Sequence, residues 1–192
     1  VTFSALPPHL VNALLATEDE RFYMHNGIDF EALGRVMIKT IVLRQESSGG
    51  ASTLTQQLAK QLFTKNPSTN KVERIVQKLK EWIIAVRLER NFTKEEIIAL
   101  YLNKFSFING AYGIKAASEI YFGKSQEELT VPESATLVGM LQNPSLYNPL
   151  RRPERVIKRR EVVLKQMTKR GFITEEEYEK YRTQDLGINF KP

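Results

Sequence analysis

Apolar residues in this chain recur at helical spacing and almost nowhere alternate with period two. Leu10, Leu14 and Thr17 share one helical stripe. So do Ile75, Leu79, Trp82 and Val86, then Ile97, Ile98 and Tyr101, then Val156, Val163, Leu164 and Met167. A chain patterned this way cannot bury its apolar surface as a sheet, where every second residue must share a face. The spacing predicts a mainly α-helical fold of about eight to ten helices. Helix starts are marked by Pro7-Pro8, by Thr93 followed by Glu95-Glu96, and by Thr174 followed by Glu175 to Glu177. Breakers separate the segments at Ser47-Ser48-Gly49-Gly50, Asn66-Pro67-Ser68, Asn109-Gly110, Asn143-Pro144 and Gly171.

Composition narrows the classes. The 192 residues fit one domain, or one body with a small lobe. With 42% apolar residues a core can form, which excludes a disordered chain. There is no cysteine, so disulfide frameworks, thiol nucleophiles and thiolate zinc sites are excluded. A net charge of +6 favours an anionic partner: a phosphate ligand, nucleic acid or an anionic membrane surface. No apolar run approaches the ~18 residues of a membrane span, and no signal peptide is visible. The abrupt start at Val1 reads as a piece of a longer protein. Residues 151–170 are strongly basic and residues 171–192 acidic, as for a last helix leading into a linker. From Phe30 to Arg44 a wide apolar face is interrupted by Arg35, Lys39 and Arg44. Such a basic amphipathic helix can lie in a membrane interface, or can be an ordinary core helix with solvated cations.

Three stretches carry groups suited to chemistry. Glu18 follows Val11, Leu14 and Leu15 at helical spacing, which sets its carboxylate in line with an apolar stripe near a helix end. A partly buried carboxyl there suits general acid or base work; the plain alternative is a solvated acidic cluster with Asp19. In Gly50-Ala51-Ser52-Thr53-Leu54-Thr55-Gln56-Gln57 a glycine turn precedes hydroxyls and amides. Backbone N–H groups at such a turn favour an anion, and the side chains offer the neutral hydrogen bonds that sugars need; a capped polar helix is the alternative. Lys71, Arg74, Lys78 and Glu81 share another line. Three cations and a carboxylate can bind a diphosphate, or can be an ordinary salt-bridged face. His9 and His25 are too isolated for a metal claim. Lys94, Ile97, Tyr101 and Asn103 bracket a helix, and Arg159-Arg160 sit one turn from Val163-Leu164.

Taken together the motifs resemble the peptidoglycan glycosyltransferase domain (glycosyltransferase family 51) of class A penicillin-binding proteins and monofunctional murein polymerases. The matching stretches are Glu18-Asp19-x-x-Phe22-x-x-His25-x-Gly27, then Gly50-x-Ser52-Thr53-x-Thr55-Gln56-Gln57, then Gln77-Lys78-Leu79-Lys80-Glu81. Lys94-x-x-Ile97-x-x-x-Tyr101-x-Asn103 and Arg159-Arg160-x-x-Val163-Leu164 follow in order. Gln77 stands where the family usually has Arg, so that cation is dispensable or supplied by Arg74 or Lys80.

The resemblance implies a lysozyme-like helical head with a small membrane-facing jaw. The glycosyltransferase domain is expected over residues 1–185, the jaw over about 28–66, and a linker or tail over 186–192. It implies polymerisation of lipid II into β-1,4 glycan strands, with inversion and release of undecaprenyl diphosphate, and binding of the mimic moenomycin. Glu18 is then the general base. Glu81 sits by the donor diphosphate, directly or through a divalent cation (Mg2+ or Mn2+), with Lys78 and with Arg74 or Lys80. No organic cofactor is implied. Asp19, Phe22, His25, Gly27, Ser52, Thr53, Thr55, Gln56, Gln57 and Lys60 are expected to line the substrate cleft, and Lys94, Tyr101, Asn103, Arg159 and Arg160 to hold its walls. The partners implied are lipid II, a lipid-linked glycan strand, the membrane surface and a linked transpeptidase domain, with no nucleic acid. The implied location is the extracytoplasmic face of a bacterial plasma membrane, this chain being an excised domain. A lysozyme-like hydrolase would need no line of cations for a leaving diphosphate, and a nucleic-acid binder would not scatter its cations among carboxylates.

Overall fold

The computed structural model describes residues 1–41, 52–64 and 68–191. Among them are nine α-helices, three short 3-10 turns and no β-strand. The helices are α1 (Pro8–Glu18), α2 (Phe30–Ile41), α3 (Leu54–Phe63), α4 (Lys71–Asn91) and α5 (Lys94–Lys104), then α6 (Gly113–Phe122), α7 (Val131–Met140), α8 (Pro153–Lys169) and α9 (Glu175–Arg182). The mainly α reading of the spacing is borne out. Val42 to Arg44, the Ser47–Gly50 breaker, Gly50-Ala51 and Asn66-Pro67 lie outside the described residues. The chain divides into two compact units, Val1–Glu20 with Leu102–Pro192, and Arg21–Tyr101.

In the first unit α7 is the central element and packs on α1 and α8, while α9 packs on α8. Nearly every residue of α7 is buried, as its all-round apolar and small composition requires. Leu10 and Leu14 of α1, Leu137 and Met140 of α7, and Val163, Leu164 and Met167 of α8 are fully enclosed. Proline at the first position starts α1, and Gly123 in the left-handed region ends α6. Thr174 and Glu177 form the capping box that starts α9. Arg160 lies within this core at 1% exposure. Burial draws its guanidinium pKa down, against the opposing charge of Asp185. It donates to the carbonyls of Asp185 (2.7 Å), Arg182 and Gln184, and so clasps the chain as it leaves α9. Beyond it, Leu186 is buried, and the N–H groups of Asn189 and Lys191 donate to Tyr121 and Ile120 of α6.

In the second unit α3 packs on α4. Thr53 and Gln56 form a capping box at the start of α3, Asn70 caps α4, and Thr93 with Glu96 does the same for α5. Asp29 accepts the N–H of Ala32 at 2.9 Å, which ties down the first turn of α2. The residues of α4 fall on the faces that their spacing predicts, with an outcome that the spacing does not reveal. The buried stripe is Glu81, Ala85 and Glu89, one helical turn apart. The apolar residues face outward: Val72 is 70% exposed, Ile75 61%, Leu79 51% and Ile83 57%. Trp82 and Val86 are half-buried.

Candidate functional site

The first unit holds Glu18 at the last position of α1, with a side chain 15% exposed. Its Oε1 lies 3.9 Å from Nη2 of Arg159 on α8, itself 15% exposed. Arg159 also donates from Nε to the Gly139 carbonyl at 3.4 Å and lies 5.9 Å over the Tyr147 ring. Asp19 is buried, and Glu20 pairs with Arg170. The end of α1 therefore presents three acidic residues, two of them answered by arginines of α8 and its C-terminal cap. Asn103 also lies in this unit, where its amide donates to the Val1 carbonyl.

The second unit gathers the remaining motifs around α4. Gly27 takes φ +89°, and a Cβ there would lie 2.9 Å from the Ala85 carbonyl group. Only glycine fits both constraints. Its carbonyl accepts the Thr53 hydroxyl at 2.7 Å, and its N–H donates to Nδ1 of His25 at 3.2 Å. The tail of the first motif is thus bonded to the second and packed on the helix that carries the third. The fourth joins them through Lys94, whose ammonium donates to the His25 carbonyl (2.7 Å), pairs with Glu89 (2.9 Å) and lies 4.2 Å over the Phe22 ring. Glu89 also accepts the Thr55 hydroxyl at 2.5 Å, and the Tyr101 hydroxyl donates to Gln57 at 3.0 Å.

Glu81 is 1% exposed, and a carboxylate so placed needs partners. It accepts from the Thr64 hydroxyl at 3.1 Å and from the Lys78 ammonium at 3.3 Å. Lys78 reaches outward, 35% exposed, and donates to the Ser52 hydroxyl at 3.0 Å. The result is a fixed cation with a hydroxyl beside it, held from below by a buried anion. Such a group can receive developing negative charge with little reorganisation. Gln77 accepts the Ser68 N–H at 3.1 Å and the Arg74 guanidinium at 3.4 Å, so the position where the resemblance expects arginine holds one by its amide. Lys60 and Lys80 are exposed.

Sequence reasoning missed Glu89, Thr64 and the pair formed by Arg21 and Asp29 at 3.0 Å. The four-residue spacing of Glu81, Ala85 and Glu89 was the available signal for Glu89. Burial works to raise the Asp29 pKa, but the Ala32 N–H and the charges of Arg21 and His25 outweigh it and hold the carboxyl below its ordinary range. Among the described residues no three of His, Asp and Glu gather as a metal site. The Glu81 carboxylate has the Lys78 ammonium against it, and a single carboxylate with a substrate diphosphate is a donor set that Mg2+ accepts.

A model of the transglycosylase family matches residues 1–168. Penicillin-binding protein 1A of Escherichia coli (strain K12) is 40% identical over 190 residues, which is 99% of this chain and 22% of that protein. Penicillin-binding protein 1A of Aquifex aeolicus (strain VF5) is 43% identical over 98% of this chain and 25% of its own length. Penicillin-binding protein 1F of Bacillus subtilis (strain 168) is 38% identical over 100% and 26%. The chain thus spans 22–26% of the length of these relatives. A crystal structure of penicillin-binding protein 1A from Haemophilus influenzae matches with a TM-score of 0.46 and 31% identity over 71% of this chain and 17% of that one.

Proposed function

The chain belongs to the transglycosylase family, and from that membership we propose that it polymerises lipid II into β-1,4 glycan strands with release of undecaprenyl diphosphate. The observation that carries the reading is the Lys78 ammonium fixed between Ser52 and the buried Glu81, a preset cation of the sort a departing diphosphate needs. Glu18 is the general base. It takes the proton from the 4-hydroxyl of the incoming lipid II, and the freed oxygen attacks C1 of the donor sugar from the face opposite the diphosphate. The bond from C1 to the diphosphate oxygen breaks, the electron pair leaves with the phosphate, and the configuration inverts. Base assistance of this kind is worth roughly 10²–10⁴-fold.

Lys78, and Arg74 held by Gln77, receive the phosphate charge. Glu81, at 1% exposure, acts through Lys78 by fixing the ammonium. A divalent cation, were one bound, would be held by Glu81 and the diphosphate and would add to the charge that Lys78 supplies. Thr53, Thr55, Gln56, His25 and Gly27 hold the helix start that carries Ser52, and Gln57 and Lys60 on the same helix are the further donors offered to the substrate. Exposed Phe30, Arg35 and Ile38 of α2 support a membrane-facing jaw over about residues 28–66, and the outward apolar stripe of α4 with exposed Arg87 and Arg90 supports a location at the outer face of a bacterial plasma membrane. No described helix is long and apolar enough to cross a membrane. The small share of its relatives' length that this chain spans supports a linked transpeptidase domain.

Labelled lipid II supplied to the chain tests the reading. Long glycan strands are the expected product. Shortening of preformed glycan with no new polymer would make the domain a hydrolase instead.

A further inference from the structure

We propose that Arg159 is a positioning residue for Glu18: it orients the carboxylate for proton abstraction. The inference rests on the reading of Glu18 as the base. Arg159 was expected only to hold a cleft wall, yet its guanidinium is aimed at the end of α1. Three contacts fix it there: the Gly139 carbonyl at 3.4 Å, the Tyr147 ring at 5.9 Å and the Glu18 carboxylate at 3.9 Å. Gly139 eases the approach, since a Cβ at that position would lie 3.1 Å from Cγ of Arg159 and would make it give by a few tenths of an ångström. Both charged side chains are 15% exposed, so solvent and salt screen the pair less than they screen a surface pair.

The separation matters for the chemistry. A bidentate guanidinium clasp closes to ~2.8 Å and engages both carboxylate oxygens. At 3.9 Å Arg159 biases the direction of the carboxylate without that clasp. A residue with this role acts on the chemical step and not on substrate affinity.

Turnover of labelled lipid II by Arg159→Ala, Arg159→Gln and Glu18→Gln, with thermal unfolding of each, tests the proposal. Arg159→Ala is expected to lower kcat by about 10²-fold, the scale of a small misplacement of a catalytic group, with KM unchanged. Millimolar guanidinium is expected to restore part of that loss. Should Arg159→Ala fail to fold, Arg159→Gln carries the test, since it keeps the length and removes the charge. A folded variant with normal kcat, or a loss seen only in KM, overturns the proposal. Normal turnover by Glu18→Gln instead removes Glu18 as the base, a failure that is read separately from that of Arg159.

Discussion

The two buried carboxylates of α4 are matched residue by residue. Glu81 and Glu89 lie on the inner face of one helix, and each is answered by a lysine and a threonine hydroxyl. An unpartnered carboxylate at that depth would cost several kcal/mol, so these contacts are conditions of folding as well as of function. Gly27 is equally constrained, by a positive φ and by the backbone of α4 against it. Gly27→Ala is expected to destabilise the chain by about 1–3 kcal/mol, read from denaturant unfolding, and to release the Thr53 hydroxyl bond. Asp29 gives a pH prediction. Its folded pKa lies below the ordinary aspartate value, so the unfolded state binds more protons between the two. Its contribution is complete above the ordinary value and lost as the pH falls through the folded one. Asp29→Asn should therefore flatten the acid limb of a stability-against-pH curve while lowering stability at neutral pH. An unchanged acid limb would show that Asp29 does not carry that dependence.

At the scale of elements, α4 is the informative case. Its period of 3.6 was legible in the sequence, and so was the common stripe of Ile75, Leu79, Trp82 and Val86. Which face would be covered was not legible, because periodicity reports that residues share a side and says nothing of what lies against it. Here Glu81 and Glu89 are inside, and Val72, Ile75, Leu79 and Ile83 are outside. Replacing Ile75 and Ile83 together by serine should weaken binding to anionic vesicles by about 10-fold or more, given roughly 1.5–3 kcal/mol per fully buried isoleucine. Circular dichroism should show the helix intact, since neither side chain is in the core. Equal vesicle binding by the double variant would remove α4 from the membrane face. Helix starts were also readable: the boxes at Thr93 and Thr174 form as their spacing requires. The contacts of Lys94 with His25 and of Tyr101 with Gln57 were not, since each joins positions far apart in sequence through tertiary packing alone.

Across the whole molecule the ordered motifs fall into two groups. Glu18, Asp19, Asn103, Arg159 and Arg160 belong to the first unit, and the tail of the first motif with the second, third and most of the fourth belongs to the other. The resemblance identified these residues and their order. It did not identify the division of labour that the contacts support, in which Lys78 faces outward on a buried Glu81 and Arg159 faces Glu18. The carboxylate at the end of α1 is, in the proposed reaction, the group that takes the acceptor proton. Measuring glycan polymerisation by Glu18→Gln, a change that keeps the side chain's shape and removes its basicity, tests that role most directly. A folded variant that makes no polymer from labelled lipid II is the predicted result, and a folded variant that polymerises at the rate of the parent chain would contradict it.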